Sequence, residues 1–314
     1  MKLASRILSA ILTLSMFSSI TVFATQMEAK KSKNVEIAIG LGYIAQDSDL
    51  TKIVTREEYV TAVSKIMNLS AGIDSDAVVY KDVSPASPAA QYIDTLYKMN
   101  ILYGNDERMF YPNQPIKYHD AIRILVSILG LYHIAQAKGG YPAGYLSVAA
   151  NKGIKGGSPN SETITFSDLA NLICTTLEAP LTESNPIDGV YDEQRKDTYM
   201  TKRLSIYKKN GIVSENSITS LSGEKNRTKN HITIDGVNYY SDLDYDNMLG
   251  QYVSIYYKFD EAMDENHLLF AYCDENRNKI LKIKDDDLTA YSSLTYEYYE
   301  NESRDRVKKA AIAI

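Results

Sequence analysis

The best candidates for catalytic residues in this sequence are four carboxylates: Glu57, Glu58, Asp120 and Asp168. Most glycoside hydrolases use two carboxyl groups, one on either side of the glycosidic bond. Each of the four, however, lies in the first turn of a predicted helix, where capping of the free N–H groups already explains a carboxylate. We therefore interpret Glu58, Asp120 and Asp168 as structural caps, and the sequence predicts no catalytic residue.

Other catalytic and metal-binding patterns are absent from the sequence. It has no Gly-x-Ser-x-Gly, His-Glu-x-x-His, phosphate loop or Cys-x-x-Cys, and its four histidines lack the spacing of zinc ligands. Asp242, Asp244 and Asp246 begin like a calcium loop, but Asn247 replaces the required glycine and Val253 the required glutamate. The sequence thus predicts no metal site and no cofactor, and it favours a binding protein over an enzyme.

Apolar residues at helical spacing mark the segments that must position these carboxylates. Thr55 and Glu58 match a capping box, in which each side chain satisfies the N–H group of the other residue. Behind them, a single apolar stripe is formed by Tyr59, Ala62, Val63, Ile66 and Met67. Residues 121–129 are apolar almost all round and are followed by Gly130, so we expect the most buried helix there.

The same local unit occurs three times, which is the strongest signal in the first half of the chain. A helix ends, a polar loop follows, and a hydrophobic residue precedes the next helix, which starts beside Thr55, Lys117 or Thr165. The three copies lie at about residues 35–70, 78–131 and 139–180. Short amphipathic units cannot each hold a core, so residues 35–180 are predicted to share one.

An alternating, tyrosine-rich pattern replaces the helical one in the second half. Strands are predicted at 231–235, 236–239, 250–257, 268–273 and 279–283. Asp235-Gly236 is a strong hairpin signal. Residues 216–300 therefore predict a small antiparallel β domain, either a sheet or a partly closed barrel.

Residues 181–215 are predicted to be a linker followed by a helix. That helix is expected from Glu193 to Asn210, with Gly211 as a left-handed cap. The tail, residues 301–314, ends in an apolar run that suits a truncated chain. The predicted fold class is therefore α + β in separate domains.

The N-terminus predicts export. Lys2 and Arg6 precede an apolar core, and Val22-Phe23-Ala24 places small residues where a signal peptidase cleaves, so residues 1–24 are predicted to be a signal peptide. The alternative is a membrane anchor, because roughly eighteen residues before Thr25 carry no charge. Serines and threonines in that stretch favour cleavage, which would leave no membrane segment.

The net charge of the chain argues against a nucleic-acid partner. The net charge is −6, and it becomes −8 when Lys2 and Arg6 leave with the signal peptide. Since the basic residues form no stripe, a nucleic-acid partner is not expected. Cys174 and Cys273 fall in a helical and a strand-like segment, and we interpret them as structural thiols, with a disulfide as the alternative.

Several motifs in the first half carry a family resemblance. One complete S-layer homology repeat is resembled by an ordered set of motifs: Tyr80-Lys81-Asp82-Val83, Ala90-Gln91-Tyr92-Ile93, Asn100-Ile101, Gly104, Phe110-Tyr111-Pro112 and Ile116. Val54-Thr55-Arg56-Glu57-Glu58 resembles the Thr-Arg-Ala-Glu signature of that family, and residues 141–177 are similar with shorter loops. The resemblance covers a little under half of the chain.

The resemblance implies a mainly α-helical, pseudo-threefold prism of three repeats. It implies non-covalent binding of secondary cell-wall polysaccharide, often bearing a pyruvate ketal, at the surface of a bacterium, with further contacts to surface-layer proteins. In the family the signature arginine meets the ligand carboxylate in a groove between repeats, which here is Arg56. Thr55 would hold the start of its helix, and the second copy offers Lys117, His119 and Gly104 in the corresponding region.

A second function stays open from the sequence. The β-rich domain resembles no family with equal force, and we interpret it as a spacer or interaction module. The alternative is an extracellular or wall-active hydrolase whose catalytic region lies in this half or beyond Ile314.

Overall fold

The computed structural model describes residues 31–69, 80–105, 107–181, 183–184, 191–192, 197–222, 229–274, 276–278, 283–291, 295–299 and 307–311. The predicted signal peptide lies outside these residues. So do most of the strand predicted at 279–283 and much of the tail.

Helices occupy the first half, as predicted. They are α1 (Lys33–Gly40), α2 (Arg56–Ile66), α3 (Ala90–Lys98), α4 (Tyr118–Ile128), α5 (Tyr132–Ala137), α6 (Ala143–Asn151) and α7 (Phe166–Leu177), followed by α8 (Tyr199–Leu204). The predicted stripe of α2 is buried, and α4 buries residues on nearly every side before Gly130 ends it in the left-handed region at φ 74°. We call residues 33–181 the helical module.

The starts of α2, α4 and α7 are joined in a ring by backbone hydrogen bonds. The first N–H groups of a helix have no partner within the helix. Here the start of each of these helices donates to the loop that precedes another. The bonds are Arg56 N–H to Gln114 O (2.9 Å), Tyr118 N–H to Glu162 O (3.0 Å) and Phe166 N–H to Lys52 O (3.1 Å).

Three buried aliphatic residues lie inside this ring, each just before a helix start. Val54, Ile116 and Ile164 are 0%, 1% and 0% exposed. Val54 N–H donates to Ile164 O and Ile116 N–H donates to Val54 O, both at 2.9 Å. The helical module therefore has one centre that three separate stretches of the chain build together.

The second half contains a closed barrel of five strands. They are β3 (Tyr207–Glu215), β4 (His231–Ile234), β5 (Val237–Tyr240), β6 (Tyr252–Asp260) and β7 (Glu265–Cys273), hydrogen-bonded in the order β3-β4-β5-β7-β6 and back to β3. All pairs are antiparallel except β5 with β7. The first strand is long and shared between β4 and β6, and this topology is that of an OB-fold.

Smaller strands complete the described part. Glu183–Ser184 (β1) pairs with Tyr191–Asp192 (β2), and Leu288–Tyr291 (β8), Thr295–Tyr299 (β9) and Val307–Ala311 (β10) form a three-stranded antiparallel sheet. The predicted hairpin is present between β4 and β5, where Asp235 and Gly236 adopt φ values of 48° and 74°. Positive φ at both turn residues is what such a tight hairpin requires.

The prediction of a helix from Glu193 to Asn210 is wrong. In the described residues, α8 ends at Ser205, which caps it in the left-handed conformation at φ 52°, and strand β3 begins at Tyr207. Gly211 is therefore not a helix cap. A Cβ at this position would overlap the carboxylate of Asp235, so glycine is required by the close approach of the β4–β5 turn to β3.

The helical module and the barrel share one apolar cluster. Tyr256 of the barrel belongs to the same buried cluster as the helices, and Leu269 and Phe270 of β7 pack against it. Burial raises the pKa of the Cys174 thiol in α7 to about 12, helped by the nearby carboxylate of Glu178. Cys174 and Cys273 are not joined to each other by a disulfide in the described structure. The barrel interior is a second, smaller cluster that includes Val213, Ile255 and Leu268.

Gly40 sits at the contact between the two parts, where a Cβ would overlap the ring of Phe270. We expect Gly40→Ala to lower the free energy of unfolding by about 1–3 kcal/mol through overpacking. In a Phe270→Ala background the same change should cost much less, because the overlapping ring is gone. Chemical denaturation of the four variants of this double-mutant cycle measures the coupling. Additive effects would contradict this packing.

Candidate functional site

The start of α2 carries the capping box expected from the sequence pattern. Glu58 N–H donates to Thr55 Oγ1 at 3.2 Å, and Thr55 N–H donates to Glu58 Oε2 at 2.9 Å. Partial burial acts to raise the pKa of Glu58, but Lys52 Nζ at 2.6 Å and the two groups of Thr55 hold that pKa below its ordinary value. Thr165 and Asp168 form the same box at the start of α7.

Arg56 reaches from α2 towards the second copy. Its Nε donates to the carbonyl of Phe110 at 2.8 Å, and its guanidinium lies 4.7 Å from the centre of the Phe110 ring. One guanidinium nitrogen is 3.8 Å from a carboxylate oxygen of Asp120, and the side chain is 18% exposed. Burial lowers the pKa of Arg56, while the Asp120 carboxylate acts in the opposite direction. Arg56 is therefore a largely buried cation that joins two copies.

The Arg56 guanidinium is therefore already engaged by groups of the protein itself. The helix start beside it is not a free anion site either. Arg56 N–H and Glu57 N–H donate to the carbonyls of Gln114 and Pro112, and Glu58 N–H donates to Thr55. Because these N–H groups already have partners, they offer little to a ligand at this point.

Asp120 does not cap its helix, contrary to the sequence prediction. The residue at the N-cap of α4 is Lys117, which makes no side-chain capping bond, because an ammonium cannot accept from an N–H group. The carboxylate of Asp120 instead faces Arg56 and accepts a hydrogen bond from the hydroxyl of Tyr141 at 3.2 Å. It thus connects side chains from all three copies.

An open cleft of about 400 Å³ lies beside Asp120, between the second and third copies. It is lined by Tyr103, Asp120, Arg123, Tyr132, Gln136, Tyr141 and Tyr145. Tyr103, Tyr132 and Tyr141 are 45%, 37% and 50% exposed, an unusual concentration of accessible aromatic surface. Tyr145 forms the floor, where its hydroxyl accepts from Gln136 Nε2 at 3.2 Å.

Arg123 is the cation of this cleft. Its guanidinium lies 4.8 Å from the ring centre of Tyr103 and 6.0 Å from that of Tyr141. Its buried Nε has no hydrogen-bond partner in the described structure. A buried donor without a partner is costly, so this Nε carries a desolvation penalty in the described structure.

The other predicted site residues lie around this cleft without lining it. Lys117 is exposed at the start of α4, and His119 is half-buried with its ring 6.1 Å from that of Tyr118. Gly104 follows Tyr103, and a Cβ there would overlap the ring of Tyr80. Its role is close packing. Burial, followed by the neighbouring hydroxyl of Tyr97, raises the pKa of Tyr80 to about 12.

Sequence reasoning missed Arg123 and the tyrosines of the cleft. One signal was available, because Arg123 is the only charged residue between Ala121 and Leu129 in a segment that is otherwise almost wholly apolar. An arginine in an apolar helix needs either a hydrogen-bonding partner or access to solvent. The tyrosines carried no local signal, since Tyr103 follows α3, Tyr132 begins α5, and Tyr141 and Tyr145 lie just before and within α6.

Elsewhere in the described residues, no group of three or more histidine, cysteine or acidic side chains could hold a metal ion. The aspartates of the calcium-like sequence are used internally. Asp242 accepts from the Tyr240 hydroxyl, Asp244 from the N–H of Asp246, and Asp246 from Ser217. Among the residues that the structure describes, none of the helices is long and apolar enough to cross a membrane.

Comparison with known proteins bears on the segment that contains Tyr103 and Asp120. Residues 79–122 match the model of the S-layer homology domain. The chain contains an S-layer homology domain. It is 25% identical over 195 residues, 59% of its length, to the middle cell wall protein of Brevibacillus brevis. It is 27% identical over 141 residues, 43% of its length, to a cell surface protein of Thermoanaerobacter kivui.

The aligned part makes up 18% of each of these two relatives, so the chain spans about a fifth of their length. The domain and the relatives together identify a cell-surface protein, in agreement with the S-layer homology resemblance.

The buried position of Arg56 predicts that this side chain stabilises the fold. Arg56→Ala should lower the free energy of unfolding by about 1–3 kcal/mol, because Asp120 and the Phe110 carbonyl lose their partner. Arg56→Lys should restore part of the loss, since an ammonium keeps the charge without the planar donors. Urea denaturation checks this, with Lys155→Ala as an exposed control that should change stability by less than about 0.5 kcal/mol. An Arg56→Ala protein as stable as the wild type would contradict the structural role.

Proposed function

We propose that this protein is anchored non-covalently to the bacterial cell wall by its S-layer homology region, which binds secondary cell-wall polysaccharide carrying an acidic, pyruvylated sugar. The observation that carries the proposal is the cleft lined by Arg123 and exposed tyrosines. This is a binding role, and the proposal assigns no catalytic step to the chain.

The chemistry of the cleft suits an acidic sugar. Aromatic rings give a pyranose flat apolar surfaces against which its C–H groups can pack. Arg123 lines the cleft, and a planar guanidinium can bind a carboxylate through charge-assisted hydrogen bonds. Gln136 and Asp120 line the same cleft and can bond ring hydroxyls or an amide.

Arg56 has a different role in this proposal from the one that the family resemblance implies. Its guanidinium contacts the Phe110 carbonyl and the Asp120 carboxylate, so in this proposal it positions Asp120 and does not bind the ligand. In this proposal Arg123, and not Arg56, binds the carboxylate of the ligand. Asp120 places a negative charge beside the site, so the ligand carboxylate should lie on the Arg123 side, where it avoids repulsion.

We further propose that residues 35–180 comprise three S-layer homology repeats arranged as a pseudo-threefold prism. The ring of backbone bonds between the starts of α2, α4 and α7 supports this, because each copy makes the same kind of bond to another. The barrel is proposed to be the spacer or interaction part of the surface protein, held close to the anchor by Phe270 and Tyr256.

Replacing Arg123 tests the function directly. Arg123→Gln should weaken binding to purified wall sacculi about ten- to a hundredfold, the value of one charge-assisted contact. Arg123→Lys should recover only part of this. Wild-type protein should lose binding when the acidic polysaccharide is chemically stripped from the sacculi.

Controls separate loss of binding from loss of folding. Arg203→Gln removes an exposed arginine on α8, outside the cleft, and should bind like the wild type. Thermal unfolding of Arg123→Gln checks that the variant is folded, since the substitution also removes the ring contacts with Tyr103 and Tyr141. Undiminished binding by a folded Arg123→Gln protein, or equal binding to stripped sacculi, would overturn the proposal.

A further inference from the structure

The barrel has an outer surface built by β4, β5 and β7. Ile232 and Leu268 belong to the buried cluster inside the barrel. Because successive side chains of a strand point to opposite faces, the neighbouring His231 and His267 lie outside, and each is only partly buried. Tyr240 lies on the same side, in ring contact with both histidines. We call this surface, with His231, Tyr240 and His267 at its centre, the outer face.

The three rings form one row across three strands. His231 pairs in register with Tyr240, and Tyr240 pairs in register with His267. The ring centre of Tyr240 is 5.6 Å from that of His231 and 5.2 Å from that of His267. The side chains of the two histidines are 22% and 35% exposed. The row therefore offers a ligand a partly accessible aromatic strip with polar atoms at its edges.

A second row, of hydrogen-bonding side chains, runs beside the rings. Glu215, Thr233 and Asn238 follow one another in register across β3, β4 and β5. The hydroxyl oxygen of Thr233 is 2.7 Å from Asn238 Oδ1 and 3.3 Å from Glu215 Oε2. Asn238 is exposed, so its amide group is accessible to a ligand. A molecule lying on the rings would thus meet amide and carboxylate groups in the adjacent row.

A pocket of about 240 Å³ adjoins the ring row. It shares His231 with the row, and Asp242, Asp244 and Asp246 line it as well. Drug-sized sites measure roughly 300–1,000 Å³, so this pocket suits a smaller group, such as one sugar ring. Asp242 accepts from the Tyr240 hydroxyl at 2.7 Å, and Asp244 accepts from the N–H of Asp246 at 2.9 Å. Since a carboxylate has about four acceptor sites, both keep capacity for the hydroxyls of a ligand.

The charge of the outer face indicates which class of ligand it suits. The second and third strands of an OB-fold, which are β4 and β5 here, bind oligonucleotides or oligosaccharides. Five carboxylates and two ammonium groups lie on or beside the face, namely those of Glu215, Asp242, Asp244, Asp246, Glu265, Lys229 and Lys258. Phosphate binding needs clustered Lys and Arg, so an oligonucleotide is disfavoured. The same excess of carboxylates disfavours an acidic polysaccharide, and it favours a neutral oligosaccharide, whose hydroxyls are donors.

We propose that the outer face of the barrel is a second carbohydrate-binding site, which takes a neutral oligosaccharide and is independent of the cleft at Arg123. The C–H groups of one sugar pack against the ring of Tyr240. Hydroxyls of the neighbouring sugar donate to Asp242 and Asp244 in the pocket, and Asn238 bonds the other side of the ligand. The protein then has one carbohydrate site in the helical module and another on the barrel.

Isothermal titration of the intact chain with hexamers of β-1,4-linked N-acetylglucosamine and of β-1,4-linked glucose tests this site. At least one hexamer should bind with a dissociation constant of roughly 0.1–1 mM, because so shallow a face touches few ligand atoms. Binding of this strength is too weak to retain the chain on washed sacculi. Tyr240→Ala should weaken it about tenfold and Asp242→Ala about three- to tenfold, since they remove the ring and an acceptor in the pocket.

Charged probes test the selectivity of the site. The hexamer of galacturonate, which is acidic, and single-stranded hexathymidylate should each bind at least about tenfold more weakly than the neutral hexamer, because the carboxylates of the outer face repel them.

Three further variants are matched controls. Tyr240→Phe keeps the ring and should bind within about threefold of the wild type. Tyr207→Ala removes a tyrosine that is 43% exposed where β3 pairs with β6, away from the outer face, and should bind like the wild type. Arg123→Gln should also leave hexamer binding unchanged, which distinguishes this site from the cleft.

Thermal unfolding checks that each variant is folded. The proposal is overturned if neither neutral hexamer binds, or if folded Tyr240→Ala and Asp242→Ala proteins bind as tightly as the wild type. Tighter binding of hexathymidylate, or loss of hexamer binding in Arg123→Gln, would overturn it as well.

Discussion

The helical module depends on how the free N–H groups at the starts of three helices are satisfied. A helix start buried without partners is costly, and here each one draws its acceptors from a loop in another copy. Local capping by Thr55 and Thr165 accounts for only part of the requirement. The three segments are therefore mutually dependent. Removing one copy would leave unsatisfied donors in another, as well as exposing the aliphatic residues at the centre.

The same dependence creates the candidate site. Because these helix starts are bonded to one another, side chains from distant stretches of the chain meet there, and Asp120 contacts both Arg56 and Tyr141. The open cleft beside it is lined mainly by tyrosines, which come from loops as well as from short helices. Its electrostatic character comes from Arg123, whose guanidinium is held in place by ring contacts while one donor remains unpartnered.

Features set by near neighbours in the chain could be read from the sequence. The capping residues, the buried stripe of α2 and the Asp235-Gly236 hairpin belong to this group, since each is decided within a few positions. The prediction that Gly211 caps a helix was wrong because the local sequence is the same for a glycine that ends a helix and for one that lies under a neighbouring turn. The burial of Arg56 depends on Phe110 and Asp120, which lie more than fifty positions away. The surroundings of Arg123 depend on Tyr103 and Tyr141, which lie in separate loops. No spacing rule exposes either arrangement.

The packing of Phe270 over Gly40 has a mechanical consequence. A domain on a flexible tether would let its anchor turn freely, and a pull on it would first straighten the tether. Here β7 lies directly against α1, so tension on the barrel is transmitted through tightly packed side chains to the helical module. The barrel is consequently presented in a fixed orientation relative to the surface that holds the anchor, and it rotates only if this contact is broken.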